Sequence, residues 1–167
     1  APFEAVFPYS LSVVPLFVMM GVFAAHAGLS QALYRAVGVF VGHVRGGLAF
    51  ATVGACALFG AICGSSLATA ATMGRVAIPE MRRAGYADSL SAASVAAGGT
   101  LGVLIPPSII LVIYGLLTET SIGALFVAAI VPGALGALLY AGAVRVSTAL
   151  DPDRAPAGPR ADWTERR

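Results

Sequence analysis

Long stretches without a charged residue constrain this sequence more than any other feature. Four such windows cover residues 5–34, 46–74, 89–118 and 120–144, with lengths of 30, 29, 30 and 25 residues. A hydrocarbon layer of about 30 Å needs roughly 20 helical residues to cross it. Each window is therefore long enough for one membrane crossing and too short for two.

The overall composition is typical of a membrane protein and excludes several other classes. Of the 167 residues, 58% are hydrophobic and 11% are charged, whereas a soluble domain carries about 25% charged residues. All ten basic residues are Arg, and the net charge of +2 gives no basis for binding nucleic acid. We therefore predict that the chain has an all-α fold and is a polytopic membrane protein in contact with the lipid bilayer.

The positions of the arginines predict the membrane topology of the second window. Short loops rich in Arg stay on the cytoplasmic side of a membrane. If residues 46–83 crossed once, the arginines that close this segment would lie outside. If the segment instead enters and leaves on the cytoplasmic side, every Arg lies inside, while Glu4 and Glu119 lie outside. The distribution favours a re-entrant helical hairpin over residues 46–83.

The middle of this window supports a hairpin tip. Residues 60–69 contain two glycines and two serines where a continuous span would carry Leu and Ile. Glycine loosens a helix, and serine hydroxyls satisfy backbone groups that a break leaves free. Such irregular backbone is tolerated at membrane depth only inside protein or beside water. The alternative is that Gly60 and Gly64 only let helices approach closely.

The third window carries a second interruption. The Gly-rich run 98–102 is followed by Pro106 and Pro107 within an apolar stretch. Two prolines remove two N–H donors, and the residue before a proline leaves the α region. We predict a broken transmembrane helix over residues 84–119, with a first half that ends near Ala97 and a second that starts near Pro107. An unbroken, kinked helix is the alternative.

Two broken segments together indicate a binding mechanism. Broken helices expose carbonyl oxygens, which suit Na⁺ together with hydroxyls, and N–H groups, which suit a carboxylate. None of the four windows contains Asp or Glu, which favours sodium coupling over proton coupling. The candidate ligands are Gly64, Ser65, Ser66, Thr69, Gly98, Gly99 and Thr100.

These motifs resemble the large membrane subunit of TRAP (tripartite ATP-independent periplasmic) transporters. The resemblance covers roughly residues 10–145 in one register, and Asp162–Arg166 is similar to the family's cytoplasmic segment between its two halves. The matching stretches are Pro15–Gly21, Ala55–Gly74, Ile78–Tyr86, Ala96–Ser108, Tyr114–Gly123 and the Pro132-Gly133 pair.

The resemblance implies an elevator-type symporter in a bacterial inner membrane that imports organic anions, often carboxylates, with a sodium gradient. It implies a small membrane subunit and a periplasmic substrate-binding protein as partners, with Na⁺ as the coupling ion and no other cofactor. Because the second half of the inverted repeat is missing, we do not expect transport from this chain alone.

The resemblance also implies which residues form one sodium site and half of the substrate site. The hairpin tip corresponds to Gly64, Ser65 and Ser66, and Cys63 stands beside it where the family often has a small or hydroxyl residue. The facing break corresponds to Gly98, Gly99 and Thr100. Thr69, a candidate ligand named above, and the residues Pro106, Pro107 and Ser108 complete the predicted site. The implied sodium ligands are Ser65, Ser66, Gly98 and Thr100; the remaining sodium or substrate contacts are Gly64, Thr69, Gly99, Pro106, Pro107 and Ser108.

The windows and motifs divide the chain into five segments. These are a first transmembrane helix with an interfacial amphipathic helix (1–45), the re-entrant hairpin (46–83), the broken helix (84–119), a further transmembrane helix (120–147) and a cytoplasmic tail (148–167). The charged block from residue 145 onward indicates a solvated loop or tail.

Two other functions remain open at this point. A non-transporting membrane scaffold would need only the Gly-rich packing. An intramembrane serine hydrolase would use Ser65 or Ser66 with a His or Lys base nearby. The last three windows contain neither His nor Lys, which leaves only the distant His26 for that role. We therefore predict that the chain is not an enzyme.

Overall fold

The computed structural model describes residues 13–156 of the chain, which form seven α-helices and a final 3-10 turn. The predicted outer position of Glu4 and the predicted cytoplasmic segment at Asp162–Arg166 lie outside the described residues. The helices are α1 (Val13–His26), α2 (Leu29–Val41), α3 (Gly47–Cys63), α4 (Ser66–Arg83), α5 (Asp88–Leu104), α6 (Ile109–Leu117) and α7 (Ile122–Leu150), and the turn covers Pro152–Arg154.

Helices α3 and α4 form an antiparallel hairpin joined by the two residues Gly64 and Ser65. Far from this tip, the Thr52 hydroxyl donates to Met81 Sδ at 3.4 Å. Near the tip, Cys63 Sγ lies 3.0 Å from Thr69 Oγ1. The helical hairpin predicted for this segment is confirmed, whereas its re-entry into a membrane stays a prediction.

The two open ends of the hairpin lie at one end of the bundle, which we call the basic end. There the Leu48 amide donates to the Tyr86 hydroxyl at 3.3 Å, and burial raises the pKa of that phenol. A Cβ atom at Gly46 would lie 2.8 Å from Thr148 Cγ2, so the end of α7 reaches the same level. The arginines at the ends of these elements thus lie at one end of the bundle: Arg45, Arg82, Arg83 and Arg145. That this end faces the cytoplasm stays a prediction.

Helix α5 packs against both arms of the hairpin, and glycines make this possible. A Cβ atom at Gly60 would lie 2.5 Å from the Cα atom of Gly102, closer than carbon atoms can pack. A Cβ atom at Gly102 would in turn lie 2.6 Å from Thr69 Oγ1. The backbones of α3 and α5 therefore touch directly, as small residues allow in membrane helices.

The break in the third window lies later than the sequence predicts. Helix α5 continues through Gly98 and Gly99 to Leu104, and α6 begins at Ile109. The expected end of the first half near Ala97 is therefore wrong, although the helix is broken as predicted.

Packing and proline chemistry explain this difference. A Cβ atom at Gly98 would lie 2.9 Å from Cys56 Sγ, and one at Gly99 would lie 2.8 Å from Ala70 Cβ. These glycines are needed for close contact with the hairpin, and that contact keeps them helical. The prolines break the helix, because Ile105, which precedes them, has the extended dihedrals φ −86° and ψ 125°.

Three parts of the described chain are long and apolar enough to cross a membrane. Asp88–Leu117, which includes the break, and Ile122–Leu150 qualify individually. Pro15–His26 and Leu29–Val41 qualify only as a pair, bent by 64°. The bend occurs at Gly28, whose left-handed φ of +78° ends one helix and starts the next. Helix α3, at 17 residues, is apolar but shorter.

The segment from residue 145 differs from the predicted solvated tail. Residues up to Leu150 continue α7, and Thr148 and Ala155 are buried. The Thr148 hydroxyl donates to the Val144 carbonyl at 2.9 Å, so the side chain is satisfied without water. The charges of this region therefore do not prevent its packing against the hairpin's basic end.

We predict that Gly60→Ala lowers the free energy of unfolding of the full-length protein by about 1–3 kcal/mol, because the new methyl group overpacks the contact with Gly102. Gly142→Ala is the control, since a Cβ atom there meets nothing within 4 Å. It should be neutral or stabilise by up to about 1 kcal/mol through helix propensity. Thermal unfolding in detergent measures both, and equal stabilities would contradict the close crossing.

Candidate functional site

Four helix ends meet at the hairpin tip. The C-terminal ends of α3 and α5 and the N-terminal ends of α4 and α6 lie at Gly64-Ser65 and at the break that follows Leu104. The two interruptions are joined directly, since the Ile109 amide donates to the Gly64 carbonyl at 3.2 Å. A site at this point combines carbonyl oxygens and N–H groups.

Only glycine fits at position 64. Its φ of +62° is left-handed, a conformation that costs other residues free energy. A Cβ atom there would also lie 2.8 Å from the Pro107 carbonyl oxygen and 3.4 Å from Ser108 Cα. The sequence prediction that Gly64 marks the tip is consistent with this backbone, and its contact with the break gives a second reason for glycine.

Each N-terminal helix end carries a serine cap. Ser65 Oγ accepts from the Ala68 amide at 3.4 Å, and Ser108 Oγ accepts from the Leu111 amide at 3.5 Å. Ser108 is fully buried, whereas Ser65 and Ser66 are half-buried. The three hydroxyls therefore stand at the two helix N-termini, where the backbone N–H groups favour negative charge.

The backbone carbonyl groups at the end of α5 are the remaining polar groups near the tip. The Leu101 carbonyl accepts from the Ile105 amide at 2.8 Å. The next two residues are prolines, which have no N–H to donate. The carbonyls of residues 102–104 consequently lack an intrahelical donor. The free carbonyls expected at Gly98 and Gly99 thus lie one turn later.

Cys63 and Thr69 form a buried polar pair directly below the tip. Their Sγ and Oγ1 atoms are 3.0 Å apart, and Cys63 Sγ also donates to the Ser65 carbonyl at 3.6 Å. Helix α1 covers this pair through Gly21, a contact that the sequence did not predict. A Cβ atom at Gly21 would lie 2.7 Å from Cys63 Cβ. The one sequence feature that could have indicated this contact is the apolar stretch Pro15–Gly21, because it ends on this glycine.

The structure gathers most of the predicted site residues but not all of them. The tip residues, Thr69 and the break at 106–108 lie together. The Thr100 hydroxyl instead donates to the Ala97 carbonyl at 2.7 Å and lies 2.9 Å from the Tyr140 hydroxyl of α7. Its side chain therefore faces α7, while Gly98 and Gly99 face the hairpin.

No described histidine is placed to activate a serine of the tip. The His26 ring contacts its own helix, with Nδ1 2.9 Å from the Val22 carbonyl. His43 lies in the connection between α2 and α3, at the opposite end of the hairpin from Ser65. Nucleophilic catalysis needs a base within hydrogen-bond reach of the hydroxyl, so the described residues do not form a hydrolase site.

A pocket of about 370 Å³ lies beside the break, between it and α7. Its lining is aliphatic and aromatic and offers no charged group. It therefore suits an apolar group rather than an organic anion. The lining residues are Ile105, Pro106, Phe126, Val127, Ile130 and Ala134.

An all-α bundle of apolar spans, in which a helical hairpin packs its tip onto a broken helix, defines a polytopic membrane protein of the transporter type. The family model described as "Tripartite ATP-independent periplasmic transporter, DctM component" matches residues 2–166. The chain belongs to this family, that of the TRAP transporter large permease subunits, and the resemblance stated from the motifs is confirmed.

Several curated relatives carry the same family name. The chain is 47% identical over 137 residues to the C4-dicarboxylate TRAP transporter large permease protein DctM of Pseudomonas aeruginosa, covering 82% of this chain and 32% of that protein. It is 38% identical over 159 residues to the ectoine TRAP transporter large permease protein TeaC of Halomonas elongata, covering 95% of this chain and 37% of that protein. It thus spans about a third of the length of these relatives.

A third relative extends the range of substrates named in the family. The chain is 40% identical over 127 residues to the sialic acid TRAP transporter large permease protein SiaM of Vibrio cholerae, covering 76% of this chain and 30% of that protein. All three are named as transporter permeases and none as an enzyme. The prediction that the chain is not an enzyme is confirmed.

We predict that Gly64→Ala destabilises the full-length protein more than Gly85→Ala does. Both glycines have a left-handed φ, +62° and +79°, so both substitutions carry a similar backbone cost of roughly 1–2 kcal/mol. A Cβ atom at Gly85 meets only Pro156 Cγ, at 3.7 Å. Gly64→Ala should lose about 1–3 kcal/mol more free energy of unfolding than Gly85→Ala. This difference measures the contact between position 64 and the break. Equal losses in thermal unfolding would show that the tip and the break are not in contact.

Proposed function

We propose that this chain is part of the membrane subunit of a sodium-coupled transporter that imports organic anions across a bacterial inner membrane. The observation that carries the proposal is the meeting of two helix C-termini and two helix N-termini at the hairpin tip. Carbonyl oxygens at the former suit Na⁺, and N–H groups at the latter suit a carboxylate. The meeting point lies within apolar segments, where free backbone groups are tolerated only inside protein or beside water.

The class of anion follows from the relatives. The relatives described above are named for C4-dicarboxylates, ectoine and sialic acid, and each of these compounds carries a carboxylate. A carboxylate is a group that free N–H groups at helix N-termini suit. At α6 the Ile109 amide is already bonded to the Gly64 carbonyl and the Leu111 amide to Ser108. The described half of the site supplies no charged side chain at the tip, so backbone groups and serine hydroxyls would make the contacts.

The proposed sodium site centres on the tip hydroxyls and the free carbonyls. Ser65 and Ser66 stand at the start of α4, and the carbonyls of residues 102–104 end α5. The two helix ends are adjacent, since a Cβ atom at Gly102 would lie 2.9 Å from the Ser65 carbonyl oxygen. Oxygen ligands of this kind suit a hard monovalent cation. Gly98 and Thr100 belong to the set implied by the resemblance, and in the described arrangement the Thr100 side chain faces Tyr140 instead.

The partners are a small membrane subunit and a periplasmic binding protein, as the word tripartite in the family description suggests. The length of one relative supports the small membrane subunit as a partner. The isethionate TRAP transporter permease protein DctMQ of Oleidesulfovibrio alaskensis is 43% identical over 136 residues, which are only 21% of its length. A chain longer than the large permeases is what fusion of two membrane subunits would produce.

We predict that Na⁺ stabilises the full-length protein against heat more than K⁺ does at equal ionic strength. At 100 times the dissociation constant, a bound ion stabilises by about 2.7 kcal/mol. Ser65→Ala should lower both the basal stability, by about 1 kcal/mol for the lost cap, and the sodium effect. A protein that is only a membrane scaffold would show no difference between the two ions.

Ser121→Ala is the matched control for this experiment. Ser121 Oγ also caps a helix, accepting from the Ala124 amide at 3.4 Å, but at the start of α7 rather than at the tip. Its loss should reduce basal stability by a similar amount and leave the sodium effect intact. Thr100→Val then distinguishes the two versions of the sodium site. A retained sodium effect supports the tip-centred site, and a lost effect indicates that Thr100 turns toward the ion.

A further inference from the structure

Of the arginines described at the basic end, Arg82 and Arg83 are already engaged by acids. Asp88 Oδ1 lies 2.6 Å from Arg82 Nε, and Glu80 Oε1 lies 2.9 Å from Arg83 Nη1. Each pair carries no net charge, so this part of the basic end has little attraction for a further anion.

The other two arginines at this end, Arg45 and Arg145, have no such partner. Both side chains are exposed, and with the described residues they form neither an ion pair nor a hydrogen bond. The guanidinium group of arginine is a planar donor that matches a phosphate group with two parallel hydrogen bonds. These two side chains are therefore available to an anion that lies outside the bundle.

Helix packing brings the two arginines close together although they are far apart in the sequence. Arg45 precedes Gly46, at which a Cβ atom would lie 2.8 Å from Thr148 Cγ2. Arg145 stands one turn before Thr148 on α7, and the Thr148 hydroxyl reaches the Arg145 carbonyl at 3.2 Å. Consecutive Cα atoms are about 3.8 Å apart, and side chains three apart on a helix are separated by about 5–6 Å. Both guanidinium groups can therefore reach one ligand.

From Arg145, helix α7 continues into a surface that suits an acyl chain. Gly142, one turn earlier, is exposed, and a Cβ atom there would meet nothing within 4 Å. Leu138, two turns before Arg145 on the same face, is 71% exposed. Because α7 is long and apolar enough to span a membrane, the two cations lie at one edge of an apolar surface.

A ligand with a phosphate group and an apolar chain complements both parts of this surface. Basic pockets between transmembrane helices bind the headgroups of anionic lipids. A free phosphate would meet the arginines but would gain nothing from the aliphatic face. A zwitterionic lipid would cover that face but would gain less from two neighbouring cations. Charge and apolarity together therefore point to an anionic phospholipid.

We propose that Arg45 and Arg145 bind the phosphate headgroup of an anionic phospholipid, and that an acyl chain of this lipid lies along α7 beside Gly142 and Leu138. The lipid bridges the start of the hairpin and the end of α7, so its binding stabilises the folded protein. The proposal goes beyond the transport proposed above, because it does not depend on the ion or the anion that the tip binds.

Thermal unfolding of the full-length protein in detergent with added lipid tests this proposal. Phosphatidylglycerol and phosphatidylcholine with identical acyl chains are titrated separately, and the lipid concentration at half of the maximum stabilisation reports the affinity. We expect phosphatidylglycerol to bind more tightly than phosphatidylcholine. Inorganic phosphate at the same concentrations should not stabilise the protein, because it has no acyl chain.

We expect Arg45→Gln combined with Arg145→Gln to weaken phosphatidylglycerol binding about thirtyfold, and either substitution alone to weaken it about fivefold. Binding of phosphatidylcholine should change little. The matched control is Arg82→Gln combined with Arg83→Gln, which removes the same charge from the same end. Because these two arginines are already paired with acids, the control should retain most of the preference for phosphatidylglycerol.

Four results would overturn the proposal. Equal affinities for the two lipids would show that the headgroup charge has no role. An unchanged affinity for phosphatidylglycerol in the Arg45 and Arg145 double variant would place the lipid elsewhere. An equal loss in the Arg82 and Arg83 control would indicate a diffuse positive field instead of a site. Equal stabilisation by inorganic phosphate would identify a free anion as the ligand.

The single variants decide the question if the double variant does not fold. Both positions are exposed, and replacing an exposed side chain seldom affects packing. An unchanged phosphatidylglycerol affinity in both Arg45→Gln and Arg145→Gln would also overturn the proposal. If these variants instead lose the copurifying small membrane subunit while lipid affinity is retained, the two arginines bind an acidic segment of a partner protein and not a lipid.

Discussion

Direct contact between the backbones of α3 and α5, at Gly60 and Gly102, determines how the rest of the structure is arranged. Because no side chain separates the two helices there, α5 lies against both arms of the hairpin up to its tip. The end of α5 and the tip then fall at the same level, and Ile109 comes within hydrogen-bond distance of the Gly64 carbonyl. The meeting of four helix ends is therefore a consequence of close packing, and replacing either glycine by a larger residue would separate them.

Much of the architecture could be predicted from charge alone. A segment bounded by arginines on both sides, with small residues in its middle, indicates a hairpin whose ends share one side, and the structure has this hairpin with Gly64 and Ser65 at its turn. The prolines likewise predict a broken helix, because their effect on the backbone is local and does not depend on neighbours.

The role of the glycines could not be predicted from the sequence. Glycine is compatible both with a broken helix and with close helix packing, and only the neighbours decide between them. At Gly98 and Gly99 the neighbours are Cys56 and Ala70, and the helix continues. The direction of the Thr100 side chain was equally inaccessible, since it depends on Tyr140, forty residues away.

The hydrogen bond from Ile109 to Gly64 has a consequence for motion. It commits the first amide of α6 to the hairpin, so a displacement of the tip alone would break this bond and open the glycine crossing below it. The hairpin and the broken helix are thus coupled at the tip by a backbone hydrogen bond and a close glycine contact. The link from the broken helix to α7 at the level of Thr100 is different in kind, since two hydroxyl groups can exchange partners with water as they slide. Breaking the Thr100–Tyr140 contact therefore costs less than breaking the backbone bond at the tip.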